Sequence, residues 1–179
     1  MSKKLILFII LFIPSIVFSL SKDNVILSKC IDGDTARIIV NNEEVKVRFI
    51  GIDSPESAIP NEEPEKYGVE ASNYTCKKLK SAKKIVLEYE DKSDRKDKYG
   101  RTLAYVFVDD KLLQELIVKN GYAKVKYINE DYKYYIKLIN AEEKAKTNKK
   151  GIYSEENNDN YIIKFAKKIF SNILKEIFN

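Results

Sequence analysis

The chain has no histidine. That absence removes a histidine general base, a Ser-His-Asp triad and histidine-ligated zinc from consideration. Acid–base work must fall to carboxylates, lysine, tyrosine or water. Cysteine is scarce: only Cys30 and Cys76 are present, and neither has the spacing of a metal site. They read either as one disulfide of an exported protein or as two unpaired thiols. Long apolar runs are lacking as well. The longest, Leu5 to Leu20, is shorter than the ~20 residues that span a bilayer comfortably. A large single-sign charge is also missing, since the net charge is +5. Scattered lysine of that kind is often a solvated surface and does not by itself define a nucleic-acid binder.

What is present is ordinary for a soluble domain: 44% apolar and 33% charged residues in 179, enough for one sizeable core. Residues 1–21 have a basic start at Lys3 and Lys4, an apolar stretch broken by Pro14, and small residues near Ser19 and Ser21. This pattern describes a secretory signal peptide, with an uncleaved N-terminal anchor as the alternative. The expected location is secreted or at the cell surface. Residues 22–156 form the expected domain, and residues 157–179 a linker (NNDN) followed by a basic amphipathic helix. In that tail Ile162, Ile163, Ala166, Ile169, Phe170, Ile173, Leu174 and Ile177 make a helical stripe opposite Lys164, Lys167, Lys168 and Lys175. It suits packing on its own domain, a membrane surface or a partner.

Between these ends the periodicity predicts strands at Val25–Lys29, Ala36–Val40, Val45–Ile50, Ile85–Tyr89 and Thr102–Val108, with a last extended piece at Ala123–Ile128. Helices are expected over Val69–Ala82, Leu112–Lys119 and Asp131–Lys146. Asn41-Asn42 and Asp109-Asp110 read as turns, and Ser54–Lys66, rich in Pro, Glu and Asn, as a long loop. The predicted class is α+β, mainly β: a five-stranded Greek-key barrel of the OB type with about three helices, the first inserted after the third strand.

The stretch that organises the chain is IDGDT (Ile31–Thr35) together with RFIGIDSPE (Arg48–Glu56). If the strands on either side pair, Asp34, Asp53 and Glu56 converge. That gives an oxygen-rich pocket for a hard cation such as calcium, with Arg48 as a planar fork for phosphate. Taken singly, each residue has a plainer reading. Asp32 and Asp34 are common turn formers beside glycine, Arg48 and Glu56 would make a weak surface ion pair, and Tyr99 and Tyr127 would be plain aromatics.

Six motifs in register change that reading. IDGDT, RFIGIDSPE, EKYGVEAS, DKYGRTLAYV, NGYAKV and GIYSE together resemble the staphylococcal nuclease (thermonuclease) family, from about Ile31 to about Glu155. The resemblance implies an OB-fold carrying a calcium-dependent phosphodiesterase. It makes Asp34 and Asp53 calcium carboxylates, with the backbone carbonyl of Ser54 beside them. Glu56 becomes the general base or water-orienting group, and Arg48 and Arg101 the phosphate clamps. Lys98, Tyr99 and Tyr127 line a nucleotide pocket, and Asp32 supports the metal from behind. It further implies sugar-nonspecific cleavage of DNA and RNA leaving 3′-phosphate ends, by a monomer preferring single-stranded or breathing substrate. Lysines from Lys92 to Lys98 and after Lys144 would extend the electrostatic track. Asn129 departs from the family pattern where a second pocket tyrosine usually stands, and Tyr153 replaces a usual tryptophan. The competing class is a non-catalytic OB module that binds nucleic acid or protein.

Overall fold

In the computed structural model, residues 22–154 are described. The predicted N-terminal signal or anchor and the C-terminal linker and amphipathic helix lie outside them. The core is built from β1 (Lys22–Cys30), β2 (Thr35–Val40), β3 (Glu43–Phe49), β5 (Ile85–Glu88) and β6 (Thr102–Val108), with β4 (Ile52–Asp53), β7 (Lys111–Leu112) and β8 (Lys124–Val125) as short additions. The strand order β3-β2-β1-β5-β6 closes on itself through a β3–β6 pairing. That pairing is parallel, with Arg48 opposite Leu103, whereas the other barrel pairings are antiparallel. This is the five-stranded OB-type barrel expected from the sequence. β1 serves both halves. It pairs with β5 through Lys22–Val25 and with β2 through Ile26–Cys30, and a register irregularity between Leu27 and Lys29 marks the bend.

The two tightest hairpins follow from their turn residues. Asn41 and Asn42 have φ of 50° and 67°, and Asp109 and Asp110 have 47° and 62°. Asn and Asp accept the left-handed region at less cost than other non-glycine residues. Buried apolar side chains from the strands, led by Phe49, Tyr105, Ile38 and Leu87, fill the barrel. α1 (Gly68–Ser81), α2 (Leu113–Lys119) and α3 (Tyr135–Thr147) cover it with Ala71 and Leu79, Leu113 and Ile117, and Leu138 and Ala145. Gln114 of α2 is fully buried, and its amide bonds both Ala104 O and Val106 N–H of β6. It thereby satisfies backbone groups that would otherwise be costly to bury.

Two expected elements differ. The last helix starts at Tyr135 rather than Asp131, because residues 131–134 are turns and the Lys133 N–H donates to the buried Glu90 carboxylate at 2.9 Å. The extended piece Ala123–Ile128 is a strand only at Lys124–Val125. Lys126 N–H still reaches Gly51 O at 3.1 Å, but Tyr127 turns away with φ 55°. The cysteine question is settled: Cys30 and Cys76 are bonded, with Cα atoms 5.5 Å apart. This ties the end of β1 to α1. Among the described residues no helix is long and apolar enough to cross a membrane.

Candidate active site

The site lies where the β1–β2 turn meets the loop after β3. Pairing of Thr35 with Arg48 sets the turn carboxylates beside the Arg48 side chain. Asp34 is buried. Its Oδ1 accepts from Thr35 Oγ1 at 2.9 Å, and its Oδ2 accepts from Ser54 N–H at 2.9 Å and pairs with Arg48 Nη1 at 2.7 Å. Arg48 also donates from Nη1 to Ile52 O at 2.8 Å and from Nη2 to Asp53 Oδ1 at 3.0 Å. One guanidinium therefore bridges both predicted metal carboxylates. Its side chain is only 11% exposed, where charge-assisted bonds are strongest.

Asp32 accepts from Gly33 N–H at 2.8 Å and from Ser57 N–H at 3.3 Å, so it braces the turn against the Glu56 loop. Gly33 has no room for a side chain: a Cβ there would stand 2.6 Å from Ser54 Oγ. That hydroxyl is buried without a hydrogen-bond partner. Behind the turn, Thr75 Oγ1 of α1 donates to Gly33 O at 2.7 Å, one residue from the disulfide at Cys76.

Glu56 is held through its backbone. Its N–H donates to Glu65 Oε2 at 2.9 Å and its carbonyl accepts from Glu65 N–H at 3.0 Å. Gly68 packs directly on that carbonyl, where a Cβ would come within 2.1 Å. The Glu56 side chain is left exposed beside the acidic turn. A hydrogen bond with Asp32, partial burial and the nearby charges of Asp32, Asp34 and Glu65 push its carboxyl up to about 7. Burial likewise raises Asp34, against the opposing pull of Arg48, Ser54 N–H and Thr35, with Asp32 adding to the rise. Three carboxyl groups thus crowd the Asp32–Asp34–Glu56 side, and two of them hold protons more readily than usual.

Arg101 stands just before β6, whose Leu103 is the partner of Arg48. It does not share the hydrogen bonds of the acidic cluster. Asp97 holds it instead, at 2.6 Å through Nε, while the same carboxylate caps the N–H groups of Tyr99 and Arg101 at 2.9 Å. Tyr99 and Tyr127 are 71% and 77% exposed. Lys98 Nζ lies 5.0 Å from the Tyr99 ring centre and Arg101 Cζ 5.4 Å from it. The Tyr127 segment reaches the cluster through β4–β8 pairing, in which Asp53 is opposite Lys124. Lys126 Nζ sits 2.9 Å from Asp53 Oδ2. In the lysine-rich loop, Lys92, Lys96 and Lys98 line an open groove with Asp94, Asp97 and Tyr132, and Lys92 is also paired with Asp131 at 3.1 Å.

Sequence reasoning missed Asp97, Glu65, Thr75 and Lys126. The spacing of Asp97 from Arg101 within DKYGR was the one available signal, since an aspartate at a turn start commonly caps the next N–H groups. Lys126 carries no signal in a lysine-rich chain.

Among the described residues no group of three or more His, Cys, Asp or Glu stands in an arrangement for holding a metal. Asp34 and Asp53 are two carboxylates, both closed onto Arg48. Even so, the donor set fits a hard divalent cation. The available donors are oxygens, the acidic side has charge to neutralise, and the Asp53 edge is partly open. Backbone carbonyl, water and substrate oxygens would complete the coordination, as calcium tolerates.

The closed five-stranded barrel with three helices defines an α+β domain of the OB type, with an acidic turn and a bridging arginine at one end. A family model described as staphylococcal nuclease homologue matches residues 46–155, a span that includes Arg48, Asp53, Ser54, Glu56, Lys98, Tyr99, Arg101 and Tyr127. The chain belongs to the staphylococcal nuclease family. Endonuclease YncB of Bacillus subtilis (strain 168) is 44% identical over 133 residues, covering 74% of this chain and 62% of that protein. The SPbeta prophage-derived endonuclease YokF of the same strain is 42% identical over 133 residues, 74% and 44% of the two chains. The thermonuclease of Staphylococcus hyicus is 40% identical over 126 residues, 70% and 73%. This chain therefore spans less than two thirds of the two Bacillus relatives and nearly three quarters of the thermonuclease.

Proposed function

We propose that this protein is an exported, calcium-dependent, sugar-nonspecific nuclease that hydrolyses phosphodiester bonds of DNA and RNA and leaves 3′-phosphate ends. The observation that carries the reading is the Asp34–Arg48–Asp53 bridge with Glu56 beside it. A phosphodiester is an anion, so attack by water is opposed by charge. A bound divalent cation supplies positive charge against the phosphate and its five-coordinate transition state. Asp34, Asp53 and the Ser54 backbone would hold it. Arg48 and Arg101 offer planar forks to phosphate oxygens, and a guanidinium can satisfy two oxygens at once. Glu56 accepts the proton of the attacking water or orients it. Tyr99 and Tyr127 present exposed faces for unpaired bases, which favours single-stranded or breathing substrate. Their stacking is sequence-tolerant, so the backbone is gripped without reading base edges.

The test is an activity gel on DNA and RNA, with calcium and with chelator. Digestion should require calcium, vanish with chelator and fall by ~10²–10⁴ in Glu56→Gln, with a comparable collapse in Arg101→Ala. Wild-type rates in both variants would show the roles to be wrong. Nucleic-acid binding without any cleavage would favour the non-catalytic module. Export is tested separately, by sequencing the N-terminus of the protein recovered from culture medium and from membranes.

A further inference from the structure

Lys126 is placed where no role follows from the reaction outlined above. Its ammonium sits 2.9 Å from Asp53 Oδ2, on the opposite oxygen from the one that Arg48 holds at 3.0 Å. Asp53 thus carries two cations, one on each oxygen. The two are held very differently. Arg48 is 11% exposed and is fastened as well by Asp34 and Ile52 O. The Lys126 side chain is 47% exposed, at the end of a flexible stem. Its backbone, by contrast, is fixed: its N–H bonds Gly51 O, next to the β4–β8 pairing. The ammonium also lies 5.9 Å from the centre of the exposed Tyr127 ring. It therefore stands between a predicted cation ligand and a surface suited to an unpaired base.

We propose that Lys126 is a substrate-binding residue for a backbone phosphate of single-stranded nucleic acid, held in reserve on Asp53 until a divalent cation claims that carboxylate. The inference rests on the reading that Asp34 and Asp53 hold the cation. Three positive groups cannot share one carboxylate without strong repulsion, and the loosely held lysine is the one that yields. Its stem swings while its Cα stays in place, so the freed ammonium remains beside Tyr127, where the phosphate next to a stacked nucleotide would pass. Two opposite effects follow. Without nucleic acid, Lys126 competes with the cation and weakens its binding. With nucleic acid, Lys126 adds one phosphate contact.

The experiment compares wild type, Lys126→Gln and Lys126→Arg. Calorimetric titration with calcium alone reads the competition. Binding of a single-stranded oligonucleotide at saturating calcium and several concentrations of monovalent salt, in a Glu56→Gln background so that the strand is not cut, reads the contact. Lys126→Gln should bind calcium about 3- to 10-fold more tightly. It should also lose ~0.7 from the slope of log affinity against log salt, the value for one phosphate on a single strand. In cleavage its KM should rise with kcat little changed. Lys126→Arg should keep the wild-type slope. Calcium affinity in Lys126→Gln equal to or weaker than wild type, or an unchanged salt slope, overturns the proposal. Wild type that binds no calcium and cuts without it would sink the parent reading, and this inference with it. Wild type and Lys126→Gln binding calcium equally would sink this inference alone.

Discussion

Two regions of the molecule, an acidic wall and an open wall, are built on opposite principles. On the acidic wall, Asp32, Asp34 and Ser54 are buried, and Arg48 is locked by three protein acceptors. Behind them the turn is fastened by the Thr75 hydroxyl and, one residue further along α1, by the Cys30–Cys76 disulfide. On the open wall Lys98, Tyr99 and Tyr127 face solvent, with Asp97 supplying the order around Arg101. The contrast separates two tasks. Groups that meet developing charge gain from being fixed before the substrate arrives, because preorganised dipoles need no rearrangement during reaction. Groups that meet bases of any identity gain from being accessible and adaptable.

Substitutions should therefore differ in kind between the walls. The largest effect is expected on the acidic side: Glu56→Gln should cut the turnover number by ~10²–10⁴ while single-strand binding stays close to wild type, read by stopped assays beside oligonucleotide titration. Loss of binding with turnover intact would reverse the assignment. Next comes the brace behind that wall. Replacing both cysteines by serine closes no 46-residue span and should cost about 2–4 kcal/mol of stability in urea unfolding. Amide exchange at Gly33 and Asp34 should rise beyond that of the β6 core. Equal acceleration everywhere would make the bridge a general staple with no special link to the turn.

On the open wall the effects should be smaller and confined to binding. Tyr99→Ala or Tyr127→Ala should weaken single-strand affinity by ~1–3 kcal/mol without altering the rate at saturating substrate. A large fall in that rate would place the ring in the chemistry. The smallest effect concerns the support of β8. Glu142 accepts from Val125 N–H, Tyr153 Oη and Lys146 Nζ at 2.8–2.9 Å. Burial raises its carboxyl, but these bonds outweigh it and the net shift is downward. A carboxyl depressed in the folded state contributes stability above its ordinary pKa of 4.5 and loses it as pH falls through the folded value. Wild type should accordingly lose more stability than Glu142→Gln between pH 7 and acid conditions below that value, measured by urea unfolding at each pH. Parallel losses would remove Glu142 as the cause.

The same division explains what could be read from the sequence. The barrel was legible because β-branched runs and the turn pairs Asn41-Asn42 and Asp109-Asp110 carry local preferences that the fold obeys. Asp34, Arg48, Asp53 and Glu56 were legible as a motif set; ion pairs join the first three, and Glu56 meets Asp32 from the loop after β4. Contacts that depend on three-dimensional approach were not. Glu90 capturing Lys133 N–H delays α3 by four residues from its expected start. Thr75 reaches Gly33 across 42 positions, and the Glu65 carboxylate and N–H meet the Glu56 backbone in a contact that no pattern announces. Lysine is written identically in sequence whether it is solvated or, like Lys126, seated on a carboxylate.

On the proposed reading, a cation held by Asp34 and Asp53 makes phosphodiester cleavage feasible. The most direct test of that reading is the rate of single-stranded oligonucleotide cleavage across a calcium titration, for wild type and Asp34→Asn. Cleavage should show a saturable calcium requirement, stop in chelator, and shift to much higher calcium in the variant. Equal rates in chelator and calcium, or superimposable titrations for the two proteins, would contradict it.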